Sequence, residues 1–153
     1  MTDQLKLIRI KLEHLSRMRE YLQYSLSQVE PVLVLKDWAA LNPDQHESLA
    51  AFRVRFSEFQ EHLGKTMRSV AIEEEQDVDR FGTVLAFMER LKVVDSVDHW
   101  KLIRELHHAV NHEYEDDGAR LAEFFELMVS EAPTLVGYFT RLRAHCASSY
   151  GFL

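Results

Sequence analysis

Apolar residues recur every three or four positions along most of this chain, and that spacing places them on one face of an α-helix. The first stripe predicts a helix over about 3–29, capped by Thr2 or Asp3. Pro31 is expected to end this helix, because a proline disfavours helical geometry in the residue before it. The stripe consists of Leu5, Ile8, Leu12, Leu15, Met18, Leu22 and Leu26.

Two further helices follow the same pattern in the middle of the chain. Asn42 followed by Pro43 predicts a cap and first turn for a second helix, whose apolar stripe runs over 49–70. The acidic run 73–77 is expected to end that helix and to lie in solvent. Apolar positions over 81–91 predict a third helix.

The remainder of the chain predicts two more helices. Ser96 is placed to cap a fourth helix, and a turn at 115–118 leads into a fifth. Pro133 is expected to kink or restart the fifth helix, because its ring removes a backbone donor and crowds the preceding turn. Residues 148–153 are expected to form a frayed tail.

Length and composition place these helices in one domain. The chain has 153 residues, of which 46% are hydrophobic and 28% are charged, and it contains only five glycines and three prolines. That scarcity of glycine and proline favours long helices over a sheet with many turns. We therefore expect an all-α protein, with residues 1–153 forming a single antiparallel bundle of four to five helices.

The charge pattern narrows the range of partners. A formal net charge of −7 argues against a duplex-DNA binder, because such proteins carry a basic surface. Charged residues interrupt every apolar run before it reaches membrane-spanning length. Cys146 is the one cysteine, which excludes an internal disulfide and a multi-cysteine zinc site. We expect a cytoplasmic protein that binds neither DNA nor a membrane.

The segment RELHHAVNHEY, residues 104–114, concentrates the chemistry of the chain. At about 100° per residue, Arg104, His108 and His112 form one polar ridge along a helix, and His107 stands between that ridge and the core face. A permanent cation and several imidazoles would then lie within reach of one ligand. The other five histidines are scattered along the chain and are expected to be exposed.

Three interpretations of this ridge stay open at the level of the sequence. The first is an ordinary solvated helix face, whose exposed ion pairs contribute under about 1 kcal/mol each. The second is a metal site in which Glu105 or Glu115 joins His108 and His112, but the spacings of zinc proteases and di-iron bundles are absent, so we expect no metal and no cofactor. The third is phosphate chemistry, in which imidazoles move protons and a cation neutralises the phosphate.

Three segments, in this order and spacing, resemble the HEPN families of small helical proteins, and most closely those encoded beside minimal nucleotidyltransferases. The motif segment is His112-Glu113-Tyr114, following Arg104-Glu105-Leu106 and Trp100. An aromatic-rich segment over 55–68, which ends in Lys-Thr-Met-Arg, is similar to a helix of that family. The helix, loop and tryptophan over 87–100 are similar as well.

The resemblance implies a homodimer whose motif helices line a shared cleft. In active members of the family the cleft cuts RNA without a metal ion, so single-stranded RNA or tRNA would be the substrate. His112 would be the catalytic histidine, with Arg104, His107 and His108 as the other candidate catalytic residues. A minimal nucleotidyltransferase would be the partner that neutralises the protein by attaching AMP to Tyr114.

One position departs from the family pattern. His107 stands where the family carries its motif arginine, and His108 stands where asparagine is common. The sequence therefore leaves a choice between a metal-independent RNase of the toxin type and a degenerate HEPN protein that binds a nucleotidyltransferase or a nucleotide without cleaving RNA. A helical structural protein unrelated to the family is a third alternative.

Overall fold

The chain folds into a bundle of α-helices, which confirms the fold class that the apolar spacing predicts. The computed structural model describes residues 1–33, 38–113 and 118–151, apart from the side chains of 111–113. This part of the chain contains no strand. Its elements are α1 (Asp3–Leu33), a short 3₁₀ helix (Trp38–Ala40), α2 (Pro43–Glu73), α3 (Phe81–Arg90), α4 (Val97–Glu113) and α5 (Gly118–Tyr150).

Neighbouring long helices run in opposite directions. Lys11, early in α1, donates a hydrogen bond of 3.0 Å to the hydroxyl of Ser69, near the end of α2, so α1 and α2 are antiparallel. His99, at the start of α4, lies 3.0 Å from the carboxylate of Glu131, more than three turns into α5. Since only a short segment joins the end of α4 to the start of α5, α5 runs back along α4.

The predicted apolar stripes form the core. Of the seven residues predicted for the first stripe, five are buried, while Leu5 and Leu26 pack partly buried against them. One cluster of buried residues includes members of all five helices. Full burial of a large apolar side chain contributes roughly 1.5–3 kcal/mol. The largest fully buried side chains include Tyr138, Phe52, Phe56, Phe59, Phe125 and Phe139.

The prolines do not divide the helices as the sequence predicts. Helix α1 continues through Pro31 to Leu33, so the expectation that Pro31 ends it is wrong. Val29 and Val32 are buried on either side of this proline, and their packing offsets the backbone hydrogen bond that proline removes. Helix α5 likewise continues through Pro133 without restarting.

The chain stays attached to the bundle as far as Tyr150, so the predicted frayed tail is wrong for residues 148–150. Helix α5 includes Ser148, Ser149 and Tyr150, and the Tyr150 hydroxyl donates a hydrogen bond of 2.9 Å to Glu74. The ring of His145 lies 3.0 Å from the same carboxylate. Glu74, just past the end of α2, is therefore a partly buried, hydrogen-bonded residue and not a solvated member of the acidic run, and His145 is likewise partly buried and not exposed.

The start of α2 carries the cap that the sequence predicts. The backbone N–H of Gln45 donates to the Asn42 side chain at 2.8 Å, and the Gln45 side chain accepts from the Asn42 backbone N–H at 2.9 Å. This reciprocal pair satisfies two backbone donors that the first turn would leave without partners. Pro43 occupies the first helical position, where its missing N–H costs nothing.

We expect Asn42→Ala to lower the free energy of unfolding by about 1 kcal/mol, because it removes the oxygen that accepts from Gln45. Urea denaturation followed by circular dichroism measures the change. Asn42→Ser is the control, since serine retains a capping oxygen and should lose much less. Equal losses in both variants would show that the cap does not stabilise α2.

Candidate functional site

A groove of about 570 Å³ lies between α2, α3 and α4, and we refer to it as the α2–α4 groove. Its exposed lining residues form a rim, and its buried or half-buried lining residues form a floor. The lining consists of Ser57, Gln60, Glu61, Gly64, Lys65 and Arg68 from α2, Phe81 from α3, and Trp100, Arg104, His107 and His108 from α4.

Helical spacing explains why these residues share one space. On α4, the side chains of Trp100, Ile103, Leu106 and Val110 are buried, which turns Arg104 and His108 outward along the groove. Helices α2 and α4 are antiparallel, because Phe56 meets His107 whereas Gly64, two turns later on α2, meets Trp100, two turns earlier on α4. The Gln60 side chain bridges the two helices, since its amide N–H donates to the Trp100 carbonyl at 3.2 Å.

Gly64 allows the aromatic residues of the floor to approach the backbone of α2. A Cβ atom at this position would lie 3.2 Å from Cζ of Phe81 and 3.4 Å from Cζ2 of Trp100. The Phe81 and Trp100 rings contact each other with their centroids 6.2 Å apart. A larger residue at Gly64 would therefore push the aromatic side chains into the groove.

The rim is positively charged although the whole chain is acidic. Lys65, Arg68 and Arg104 are permanent cations, and Glu61 is the one carboxylate in the lining, so the three charges against one leave a net charge of +2 without any contribution from histidine. Lys65 and Glu61 form an exposed ion pair with a separation of 3.2 Å. Exposed pairs of this kind are weak, so Lys65 can turn toward an incoming anion at little cost.

His107 is neutral at physiological pH. Its pKa is lowered from 6.5 to about 4, chiefly by burial and also by the neighbouring His108 and Arg104, against the opposing effect of Glu61. Its ring meets Phe56 edge-on at a centroid distance of 6.2 Å. Its Nδ1 atom is buried and has no hydrogen-bond partner among the described residues. The imidazole therefore offers a neutral donor or acceptor and not a phosphate-binding cation.

Gln60 is the most deeply buried polar residue of the floor, with 2% of its surface exposed. One end of its carboxamide donates to the Trp100 carbonyl, while the oxygen Oε1 is buried without a hydrogen-bond partner in the described part of the chain. A buried acceptor in this state costs free energy, so its presence calls for an explanation.

The structure brings three of the five predicted site residues together. Arg104, His107 and His108 line the α2–α4 groove. His112 belongs to α4, but its side chain lies outside the described part of the structure, and Tyr114 lies outside the described residues altogether. No role for the groove residues of α2 and α3 was expected from the sequence. The helical spacing of Glu61, Lys65 and Arg68 was the available signal, but it does not reveal which helix they face.

A second polar network holds the start of α4 against α5. The ring of His99 lies between the Tyr138 hydroxyl and the Glu131 carboxylate. The Tyr138 hydroxyl donates to Asp95 at 3.3 Å, and Arg141 donates to the same carboxylate at 2.9 Å. His99 is thus a partly buried, hydrogen-bonded residue, contrary to the exposed position expected from the sequence.

The protonation of this network follows from its surroundings. Burial raises the pKa of Tyr138 to about 12, so its hydroxyl stays protonated and can donate. The hydrogen bond from Arg141 lowers the pKa of Asp95 and keeps it an acceptor. The Tyr138 ring also stacks on Trp100, with centroids 6.4 Å apart and planes at 24°. The network therefore positions a floor residue of the groove.

Two other features bear on the kind of site. Within the described residues, no group of three or more histidine, cysteine, aspartate or glutamate side chains is placed to hold a metal ion. Over the same ranges, no helix combines the length and the apolar character needed to cross a membrane.

Comparison of the chain with protein-family models, with curated proteins and with solved structures finds no match.

We expect acidification to destabilise the wild-type protein more than the variant His107→Gln. The native pKa of about 4 lies below the unfolded value of 6.5, so the unfolded chain binds the extra proton between these values. The stability that His107 contributes is therefore complete above pH 6.5 and is lost as the pH falls toward 4. The difference should be about 1–3 kcal/mol, since one pKa unit corresponds to about 1.4 kcal/mol and partial exposure reduces the effect.

Urea denaturation at pH 7 and at pH 4.5 measures this difference. His46→Gln is the matched control, because it changes an exposed histidine on α2 that does not line the groove. If the wild type and His107→Gln lose the same free energy on acidification, His107 is not desolvated as described.

Proposed function

We propose that this chain is a HEPN-type protein that binds the phosphate of a nucleotide or of single-stranded RNA in the α2–α4 groove, and that it does so without cleaving RNA. The observation that carries the proposal is the meeting of Lys65 and Arg68 from α2 with Arg104 from α4 around one groove. Arginine grips a phosphate through two parallel hydrogen bonds, and lysine adds a point charge.

The state of His107 supports binding over cleavage. In the family that the chain resembles, this position carries an arginine that stays charged at every physiological pH. Here the imidazole is neutral, and its pKa of about 4 lies far below the value near 7 that suits an acid–base catalyst. The missing positive charge weakens the stabilisation of a developing negative charge during cleavage, and the lowered pKa weakens proton transfer.

Metal-independent RNA cleavage is the second candidate function. It is favoured by the presence of Arg104, His107 and His108 on one groove, because cleavage needs a cation for the phosphate and groups that move protons. In this case His112 would act as the catalytic histidine, as the resemblance implies.

The partners are proposed on the resemblance of the motif segments. A homodimer would place two copies of α4 beside one cleft. A minimal nucleotidyltransferase would bind the dimer and transfer AMP to the hydroxyl of Tyr114, with both proteins in the cytoplasm.

We expect the protein to bind single-stranded RNA and to leave it intact from about pH 5.5 to 8, with or without EDTA. Arg104→Gln and Lys65→Gln should each weaken binding about tenfold and reduce the slope of log affinity against log salt by about 0.7, because each removes one phosphate contact. Fluorescence anisotropy measures the affinity, and gel electrophoresis of tRNA and single-stranded RNA measures cleavage.

Lys101→Gln is the matched control for binding, because Lys101 is an exposed cation on α4 that does not line the groove. Cleavage that survives EDTA and disappears in His112→Ala would establish the second candidate in place of the first. Failure of both RNA and free nucleotides to bind at low salt would reject the groove as a phosphate site.

We expect a homodimer in solution, with a mass close to twice the 17.9 kDa of one chain. Light scattering coupled to size-exclusion chromatography measures the mass over a range of concentrations. A constant mass of one chain up to high concentration would reject the shared cleft, although a groove within one protomer would still be able to bind its ligand.

A further inference from the structure

The floor of the α2–α4 groove differs in chemistry from its rim. The rim carries the exposed cations Lys65, Arg68 and Arg104. The floor includes the half-buried ring of Phe81, the buried ring of Trp100, and Gln60, together with Ser57, Gly64 and His107. A bare phosphate would use the rim alone, so the floor suits a ligand that also has a flat, largely apolar part.

The hydrogen bond of Gln60 fixes the orientation of its carboxamide. The Trp100 carbonyl can only accept, so the amide nitrogen of Gln60 must face it, and the separation of 3.2 Å agrees with such a bond. The oxygen Oε1 is then the carboxamide atom that does not face the Trp100 carbonyl. It is buried without a hydrogen-bond partner in the part of the chain that the structure describes, on a residue that lines the groove. Gln60 thus gives the floor a buried acceptor that lacks a donor, in addition to the Nδ1 atom of His107.

We propose that the floor recognises a nucleobase with an amino group at C4 of a pyrimidine or C6 of a purine, as in cytosine and adenine, whose N–H donates to Oε1 of Gln60 while its ring packs on Phe81 and its phosphate lies on the rim. This inference rests on the proposed function, because the rim must first hold the phosphate. Uracil and hypoxanthine carry a carbonyl oxygen where cytosine and adenine carry the amino group, so they would set two acceptors against each other.

Because Oε1 is buried, part of the floor must move before a base can reach it, and Phe81 is the floor residue best placed to do so. Phe81 is the first residue of α3, and Arg80, which precedes it, makes no side-chain cap for that helix. The Phe81 ring is half-buried and rests against Gly64, which presents only backbone to it. These features leave this wall of the floor less constrained than Trp100, which is held by both Gln60 and Tyr138.

The test compares nucleotides that differ in the exocyclic amino group and in the protonation of the adjacent ring nitrogen, together with a methylated CMP that differs from CMP in the amino group alone. Isothermal titration calorimetry of the full chain should give tighter binding for CMP than for UMP, and for AMP than for IMP, by roughly tenfold in each pair, because one hydrogen bond to a buried acceptor is made or lost. N4,N4-dimethyl-CMP, which has no amino N–H, should bind the wild-type protein no better than UMP. This arm needs no variant and so does not depend on how a substitution affects folding.

Gln60→Met supplies the protein-side arm, since methionine has a similar shape and no acceptor of comparable strength. It should abolish both preferences, so that CMP and UMP bind equally and AMP and IMP bind equally. The affinity ratio within each pair is the readout, because the substitution also removes the bond from Gln60 to Trp100 and so shifts all four affinities together. Lys65→Gln is the control for the rim and should weaken all four nucleotides by a similar factor.

The outcomes separate this inference from the proposed function. If the nucleotides bind with equal affinity within each pair, or if the preference survives in Gln60→Met, base recognition by Gln60 is wrong while phosphate binding stands. If the four nucleotides, single-stranded RNA and inorganic phosphate all fail to bind, both the proposed function and this inference are wrong.

Discussion

The contact between α2 and α4 is the constraint on which the groove depends. Gly64 presents no side chain there, so the Trp100 ring can approach the backbone of α2 to within van der Waals distance. The Gln60 carboxamide bonds the backbone of the same tryptophan and sets the register of the two helices. Once that register is set, Lys65 and Arg104, which lie on different helices, face one space.

The other side of α4 is held by the network around His99 and Tyr138, which continues to Asp95. Trp100 lies between the two constraints, since its ring stacks on Tyr138 and its carbonyl accepts from Gln60. The first turn of α4 is therefore fixed from both α2 and α5. A site built on such a turn keeps its geometry before a ligand arrives, which reduces the entropy lost on binding.

The fold was predictable from the sequence because the spacing of apolar residues shows which face of each helix is buried, as the stripe of α1 illustrates. The predicted helix end at Pro31 was wrong because the backbone preference of proline takes no account of how its neighbouring residues pack. Half of the groove was predictable, since Arg104 and His108 share one face of a single helix. The other half was not, because the position of Lys65 opposite Arg104 depends on the register between two helices.

An acidic chain that carries a small cationic groove selects ligands by size as well as by charge. The net charge of −7 repels a long polyanion at a distance, whereas the cations of the rim act at contact. Screening limits that repulsion to about 8 Å at physiological salt, so a short strand or a single nucleotide escapes most of it. The neutral state of His107 belongs to the same arrangement. A second cation buried beside Arg104 would raise the free energy of the folded protein, and the unprotonated ring avoids that cost while leaving the charge on the exposed rim, where a phosphate can meet it.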